Sequence, residues 1–112
     1  MNILLVEDDL SILELLQQPL RSFGYDVTAC RDAETALEAY QHTFYPLIVL
    51  DFELPEMNGV TFCGRIRALP HGDQSLIVVM IGPDHPEDLQ AALDAGVDDY
   101  LTTPVSPELL HV

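Results

Sequence analysis

The chain has 112 residues and a mass of 12.5 kDa, which is the size of a single domain. Four basic and 19 acidic residues give a formal net charge of −15, so the chain repels phosphate backbones and anionic membrane surfaces. Hydrophobic residues make up 48% of the chain and occur in well-formed runs, which favours a packed core over disorder. The longest runs, Leu47–Leu50 and Leu76–Ile81, are far shorter than the ~20 residues of a membrane-spanning helix.

The N-terminus and the two cysteines indicate a cytoplasmic protein. Met1–Leu5 has no basic residues ahead of its apolar stretch, so it does not resemble a secretory signal peptide. Cys30 and Cys63 lack the spacing of a metal site. We therefore expect both to be reduced thiols.

The first elements alternate between strand and helix. Asn2–Val6 is a nearly all-apolar run, too short for a helix and suited to a strand buried on both faces. Apolar residues then recur at helical spacing over Leu10–Phe23, a segment that Gly24 ends. Because an interior proline costs a helix about 3 kcal/mol, Pro19 predicts a kink or an early end. Alternating apolar residues predict a second strand over Tyr25–Cys30.

The same alternation continues through the middle of the chain. Asp32 is a suitable N-cap for a helix over Ala33–Gln41. Leu47–Asp51 follows as another buried strand. After a loop, Asn58 is expected to cap a helix that continues to about Ala68.

The last part of the chain repeats the pattern and ends abruptly. A fourth strand is predicted over Leu76–Ile81, followed by a helix that opens within Pro83–Pro86 and stops at Gly96. Asp98–Thr102 is a weaker fifth strand, and Pro107 marks a final helix of barely one turn. Five strands joined by helices predict a parallel sheet covered on both faces. The short last helix indicates either a piece excised from a longer protein or a vestigial helix.

Acidic residues follow two of these strands, where parallel sheets gather their functional groups. Asp8 and Asp9 come after the first strand, and Asp51 ends the third. If those strands are neighbours, the three carboxylates converge and repel one another, and a hard cation such as Mg²⁺ removes that penalty. A metal-bridged aspartate can then attack a phosphoryl group. Acids that simply end strands in solvated loops are common, so the acids alone leave both readings open.

Three segments together resemble the receiver domain of two-component response regulators. They are LLVEDD at 4–9, DFELPEMNG at 51–59 and GVDDYLTTP at 96–104. The resemblance covers essentially the whole chain, which would be one receiver domain over 1–112, excised from a longer regulator or hybrid kinase. It implies a flavodoxin-like α/β fold: a (βα)5 three-layer sandwich whose parallel five-stranded sheet has the order 2-1-3-4-5, with the last helix truncated.

The resemblance also assigns roles to the acidic residues. It implies that Asp51 accepts a phosphoryl group from a phosphohistidine on a histidine kinase or phosphotransfer protein. It implies that Asp8, Asp9 and Asp51 hold Mg²⁺, with Asp9 favoured over Asp8 as the direct ligand. The backbone carbonyl of Glu53 would complete the set of protein ligands.

Two positions depart from the family pattern. Where the family has Thr or Ser at the end of the fourth strand, this chain has Ile81, and where it has a near-invariant Lys, this chain has Thr103. Both side chains that grip the phosphoryl group are therefore altered, and a lost Lys contact costs about 1.5–3 kcal/mol. Tyr100 matches the aromatic residue that swings inward on activation. The bond between Thr103 and Pro104 is expected to be cis, as in the family.

Two functions remain open at this stage. The first is an atypical phosphoacceptor domain in a phosphorelay, which is a signalling domain and not an enzyme, with an output domain in the same chain or acting as a homodimer. The second is a pseudo-receiver, a protein-interaction module that works without phosphorylation. A Mg²⁺-dependent enzyme acting on phosphate esters is disfavoured, because no general base or positive clamp is visible. Neither nucleic acid nor a membrane is expected as a partner.

Overall fold

The computed structural model describes residues 1–103, and they form alternating strands and helices. The strands are β1 (Asn2–Val6), β2 (Asp26–Cys30), β3 (Leu47–Asp51), β4 (Leu76–Ile81) and β5 (Asp99–Thr102). The helices are α1 (Leu10–Ser22), α2 (Ala33–His42), α3 (Gly59–Ala68) and α4 (Pro86–Ala95), with a 3-10 turn at Gly72–Gln74. The predicted elements are thus confirmed to within a few residues at each end. The predicted final helix and Pro104 lie outside the described residues.

All five strands are parallel and lie in the order β2-β1-β3-β4-β5. This is the predicted flavodoxin-like order. The strand order reverses beside β1, since β2 lies on one side of it and β3 on the other. In open parallel sheets such a reversal opens a crevice at the carboxyl ends of the strands.

Helices cover the two faces of the sheet and bury separate hydrophobic cores. Ile3 and Leu5 of β1 point to the face covered by α1, where they join Leu13, Leu16 and Leu20. Alternate residues of the same strands point to the opposite face and join the core beneath α2, α3 and α4. β1 and β3 are buried on both faces, which explains their unbroken apolar sequences.

Helix α1 does not end early at Pro19, in contrast to one alternative of the sequence prediction. The helix continues to Ser22, and the N–H of Phe23 still donates to the carbonyl of Pro19 at 3.0 Å. Leu16 and Leu20 on either side of the proline are both buried against the sheet, and this packing offsets the hydrogen bond that proline cannot make. Gly24 follows with a positive φ of 91°, as expected for the residue that ends a helix.

One of the arginines, Arg67 near the end of α3, ties four segments together. Its guanidinium donates to the carbonyls of Gly72 and Ser75, both at 2.6 Å, and to the carbonyl of Gly96 at 3.0 Å. It also pairs with the carboxylate of Asp98 at 2.8 Å, and that carboxylate accepts from the N–H of Ile77 at 2.7 Å. Arg67 therefore holds the amino ends of β4 and β5 beside α3.

Candidate functional site

The carboxyl ends of β1 and β3 bring two acidic segments together. Val6 at the end of β1 pairs with Leu50 of β3, so the residues that follow, Glu7 and Asp51, are neighbours across the two strands. Carboxylate oxygens of Glu7, Asp8 and Asp51 lie within 4.8 Å of one another. The sheet therefore places three carboxylates at the crevice where ligands bind in this type of fold.

Hydrogen bonds from the backbone orient two of these carboxylates. The N–H of Asp9 donates to Oε1 of Glu7 at 3.1 Å, and the N–H of Glu53 donates to Oδ1 of Asp51 at 3.2 Å. The guanidinium of Arg31, after β2, donates to the carbonyl of Asp8 at 3.2 Å. Arg31 thus contacts the backbone of Asp8 rather than a carboxylate, and it is not among the residues that line the cleft.

Burial makes the charged form of the group costly. The side chain of Glu7 is 2% exposed, and burial raises its pKa to about 8, with the negative charges of Asp51 and Asp8 adding to the effect. Burial also raises the pKa of Asp51, although hydrogen bonds from the Glu53 backbone and from Glu7 oppose the rise. Burial and mutual repulsion therefore both disfavour the state in which Glu7 and Asp51 are ionised together.

Asp9, which the resemblance favours as the direct metal ligand, lies outside this group of three carboxylates. Asp9 is the N-cap of α1, and its Oδ1 accepts hydrogen bonds from the N–H groups of Ser11 at 2.9 Å and Ile12 at 3.2 Å. The structure brings Glu7 to the acidic group in place of Asp9. The signal lay in the register, because Glu7 is the first residue after a strand that ends at Val6, whereas Asp9 directly precedes a helix.

A cleft of about 290 Å³ opens beside Asp51. It is lined by Glu7, Ile12, Leu15, Leu16, Asp51, Phe52, Glu53, Met80, Ile81, Gly82, His85, Asp88 and Thr103. Four of these residues are acidic and none is lysine or arginine. A phosphoryl group entering the cleft would meet an environment dominated by negative charge.

Ile81 and Thr103, the two residues that depart from the family pattern, lie at the ends of neighbouring strands β4 and β5. Ile81 ends β4 with its side chain 4% exposed, and the N–H of Thr103 donates to its carbonyl at 3.0 Å. Both line the cleft with Asp51. Tyr100 of β5 is 41% exposed and lines a shallow groove of about 220 Å³ that also includes Ile81. In this structure the tyrosine is therefore turned to the surface.

The loop between β3 and α3 is held from two directions. Glu53 forms a bridge to Asn58 across the loop, and Asn58 caps α3 by accepting from the N–H of Thr61 at 3.0 Å. The carboxylate of Glu56 accepts a hydrogen bond from the N–H of Ala33 at the start of α2. The backbone next to Asp51, including the carbonyl of Glu53, is therefore fixed at the edge of the cleft.

The sequence analysis did not assign a role to a second set of side chains on the opposite wall of the cleft. His85 and Asp88 lie at the beginning of α4, and their side chains lie close to that of Glu53, which belongs to the loop between β3 and α3. A lone histidine before a helix carries no signal in the sequence, because its proximity to Glu53 depends on the packing of β3 against β4.

Within residues 1–103, no helix is both long enough and apolar enough to cross a membrane.

Comparison with known proteins identifies the family. The family model described as the response regulator receiver domain matches residues 3–112. An uncharacterized 14.6 kDa protein of Leptolyngbya boryana is 39% identical, with the match covering 100% of this chain and 86% of that protein. The alkaline phosphatase synthesis transcriptional regulatory protein PhoP of Bacillus subtilis is also 39% identical, over 95% of this chain. The match spans 43% of PhoP, and most of the similar curated relatives are likewise about twice as long as the matched region.

Solved structures agree with this result. The receiver domain of the sensor histidine kinase PA1611 of Pseudomonas aeruginosa, with magnesium in its active-site cleft, superposes with a TM-score of 0.89 at 32% identity. The match covers 97% of this chain and 89% of that one. The receiver domain of Ssk1 of Saccharomyces cerevisiae, solved with the histidine phosphotransfer protein Ypd1, gives 0.89 at 25% identity, covering 98% and 83%. The chain belongs to the response regulator receiver domains of two-component signalling.

Proposed function

We propose that the chain accepts a phosphoryl group on Asp51 and acts as a phosphoacceptor rather than as an enzyme. The observation that carries the proposal is the meeting of the Glu7, Asp8 and Asp51 carboxylates at the switch point of the sheet. Asp51 faces an open cleft, so an incoming phosphorus atom can reach one of its oxygens. In the transfer, an oxygen of Asp51 forms a bond to phosphorus while the bond between phosphorus and the donor imidazole breaks.

The donor set fits Mg²⁺ as the cofactor. Glu7, Asp8 and Asp51 supply carboxylate oxygens, and the backbone carbonyl of Glu53, two residues after Asp51, is proposed as a further oxygen ligand. A hard cation that takes oxygen ligands and keeps several waters suits such an incomplete shell. When bound, Mg²⁺ neutralises the carboxylates and the oxygens of the transferred group. The raised pKa of Glu7 supports the assignment, because a buried acidic group without a cation is unfavourable.

An apolar rim beside the cleft provides a docking surface for the donor protein. Ile12 and Leu15 of α1 line the cleft and are 40% and 59% exposed. Large exposed side chains next to a reactive group are typical of protein contact sites. The similarity to a receiver solved with a histidine phosphotransfer protein supports a phosphohistidine protein as the partner. Because this chain is strongly acidic, a basic partner surface and salt-sensitive association are expected.

The response is proposed to reach an output domain in the same polypeptide or a second copy of the chain. Support comes from the longer curated relatives, which include a transcriptional regulatory protein.

The alternative function is a pseudo-receiver that binds partners without phosphorylation. Ile81 and Thr103 favour it. Ile81 offers no hydroxyl where the family has Thr or Ser. Thr103 offers a hydroxyl but no positive charge where the family has Lys. A phosphoryl group on Asp51 would therefore be held less firmly than in typical receivers.

Mass spectrometry of the intact chain distinguishes the two functions. The protein is incubated with Mg²⁺ and acetyl phosphate, and separately with a phosphorylated histidine phosphotransfer protein. We expect the gain of one phosphoryl mass, abolished in Asp51→Asn and in EDTA, and strongly reduced in Asp8→Asn. Glu38→Gln, on the exposed side of α2, is the control for removal of one negative charge. Absence of labelling from both donors in folded protein that binds Mg²⁺ would favour the pseudo-receiver.

A further inference from the structure

A second group of possible metal ligands lies at the mouth of the cleft. One ligand atom each of Glu53, His85 and Asp88 lies within 4.8 Å of the others. Glu53 comes from the loop after β3, whereas His85 and Asp88 lie at the N-cap and in the first turn of α4. Two segments that are distant in sequence therefore supply an imidazole and two carboxylates to one point.

The orientation of the imidazole is compatible with binding. The Nδ1 atom of His85 lies 3.9 Å from Oδ2 of Asp88 and 3.6 Å from Oε1 of the exposed Glu87, and the separation from Asp88 leaves room for an ion between the two groups. Gly82 makes space for the ring, because a Cβ at that position would lie 3.1 Å from the Cδ2 atom of His85. A larger residue at 82 would press directly on the histidine. His85 and Asp88 are partly exposed, so an ion can reach the group from solvent.

We propose that Glu53, His85 and Asp88 bind a divalent ion of the zinc class, separately from the Mg²⁺ group. Imidazole and carboxylate are both accepted by Zn²⁺, which commonly takes three protein ligands and leaves one position open. The imidazole distinguishes the two metals, because Mg²⁺ prefers a shell of oxygen ligands whereas Zn²⁺ also binds nitrogen. Two full negative charges outweigh the partial positive charge at the beginning of α4.

The two metal groups are adjacent but use different atoms of Glu53. The first uses the backbone carbonyl in the proposed function, and the second uses the side-chain carboxylate. Glu7 and Asp51 of the first group line the same cleft as the second group, and the described residues of that lining include no lysine or arginine. A zinc-class ion at the second group would add positive charge to a cleft whose family lysine position is Thr103. The binding site itself does not depend on whether Asp51 is phosphorylated.

The two cysteines within residues 1–103 are poorly placed to compete for zinc. Cys30 and Cys63 are 4% and 0% exposed, and burial raises the pKa of both thiols, which disfavours the thiolate that binds metal. His42, at the end of α2, is exposed and lies outside the group, and it therefore provides the matched control for loss of a histidine.

Isothermal titration calorimetry with ZnCl2 alone, in millimolar Mg²⁺ and a non-chelating buffer, tests the proposal. We expect one ion per chain, with the affinity at least tenfold lower in His85→Ala and in Asp88→Asn, the size of effect seen for losses around metal sites. His42→Ala should bind as the wild type does. Asp8→Asn should also retain zinc binding, because it removes a ligand of the other group. Urea unfolding of each variant confirms that it is folded.

Three results would overturn the proposal. The first is failure of the wild-type protein to bind zinc at micromolar concentrations. The second is equal binding by His85→Ala and the wild type, which would place the ion elsewhere. The third is loss of zinc binding in Asp8→Asn or its displacement by Mg²⁺, which would assign the ion to the Asp51 group. None of these results depends on phosphoryl labelling of Asp51. Failure of the zinc proposal is therefore distinguishable from failure of the proposed phosphoacceptor function.

Discussion

Replacing Glu7 with glutamine is expected to remove much of the pH dependence of stability in the metal-free protein. Glu7 is buried, and its pKa is raised to about 8 from an ordinary value of 4.5. Between about pH 4.5 and pH 8, Glu7 keeps its proton in the folded chain but has lost it in the unfolded chain. Stability is therefore fully present below about pH 4.5 and falls as the pH rises toward 8. Glutamine keeps the shape and can still donate a hydrogen bond to Asp51, but it does not titrate.

The size of the effect follows from the same values. The difference between 8 and 4.5 is about 3.5 pKa units, which sets a ceiling of about 5 kcal/mol at about 1.4 kcal/mol per unit. From pH 5.5 to 7.5, the wild-type free energy of unfolding should fall by up to ~3 kcal/mol more than that of Glu7→Gln. Part of this difference belongs to Asp51, because the titrations of the two neighbouring carboxyl groups are coupled.

Urea unfolding in EDTA at constant ionic strength, at pH 5.5, 6.5 and 7.5, measures the difference. Glu38→Gln is the control, since it makes the same chemical change at an exposed position of α2 and should leave the wild-type slope unchanged. Saturating Mg²⁺ should flatten the wild-type slope, because a bound cation stabilises the ionised group. Parallel pH profiles for the wild type and Glu7→Gln in EDTA would refute the argument that Glu7 folds in its protonated form.

Three further predictions concern stability and phosphoryl binding. Arg67→Ala should lower the free energy of unfolding by about 2–4 kcal/mol, because it leaves buried carbonyls without a hydrogen-bond donor. Arg65→Ala loses an exposed ion pair and should cost less than ~1 kcal/mol, so equal costs in urea unfolding would contradict this. Gly72→Ala should destabilise by ~2 kcal/mol or more, since its Cβ would lie 1.7 Å from a backbone oxygen of Ile66, whereas Gly64→Ala, in open space within α3, should stabilise by up to ~1 kcal/mol in the same assay. Thr103→Lys should raise the fraction labelled by acetyl phosphate about tenfold or more, because it supplies a charge-assisted contact in the cleft; unchanged labelling by mass spectrometry would show that charge at this position does not limit the reaction.

Much of the fold was predictable from local sequence. β1 and β3 are buried on both faces, and a short unbroken apolar run has few other solutions. Helices α1 and α4 end just before residues that favour a helix stop, Gly24 and Gly96, both of which have a positive φ. Pro19 was less informative, because the burial of neighbouring leucines outweighed the missing hydrogen bond. Local propensity thus predicted the elements, and packing decided how far one of them extended.

The acidic site was predictable in kind but not in detail. Asp51 was identifiable because it ends a buried strand, and parallel strands gather their carboxyl ends at one edge. The choice between Glu7 and Asp9 required the register of β1 and the start of α1, which turn Glu7 toward Asp51 and make Asp9 a helix cap. Composition cannot separate acids that are so close in sequence, because what distinguishes them is where the strand ends and the helix begins.

The amino-acid sequence by itself determined the alternation of strands and helices, the parallel sheet and the presence of an aspartate at its carboxyl edge. These properties depend on apolar periodicity and on turn and cap residues, which act over a few neighbouring positions. Only the tertiary structure decided that Glu7 is buried, that Arg67 ties four segments together, and that Glu53 meets His85 and Asp88. Those features depend on distances between segments that are remote in sequence. Such distances are set by the packing of the sheet and its helices, which no local pattern encodes.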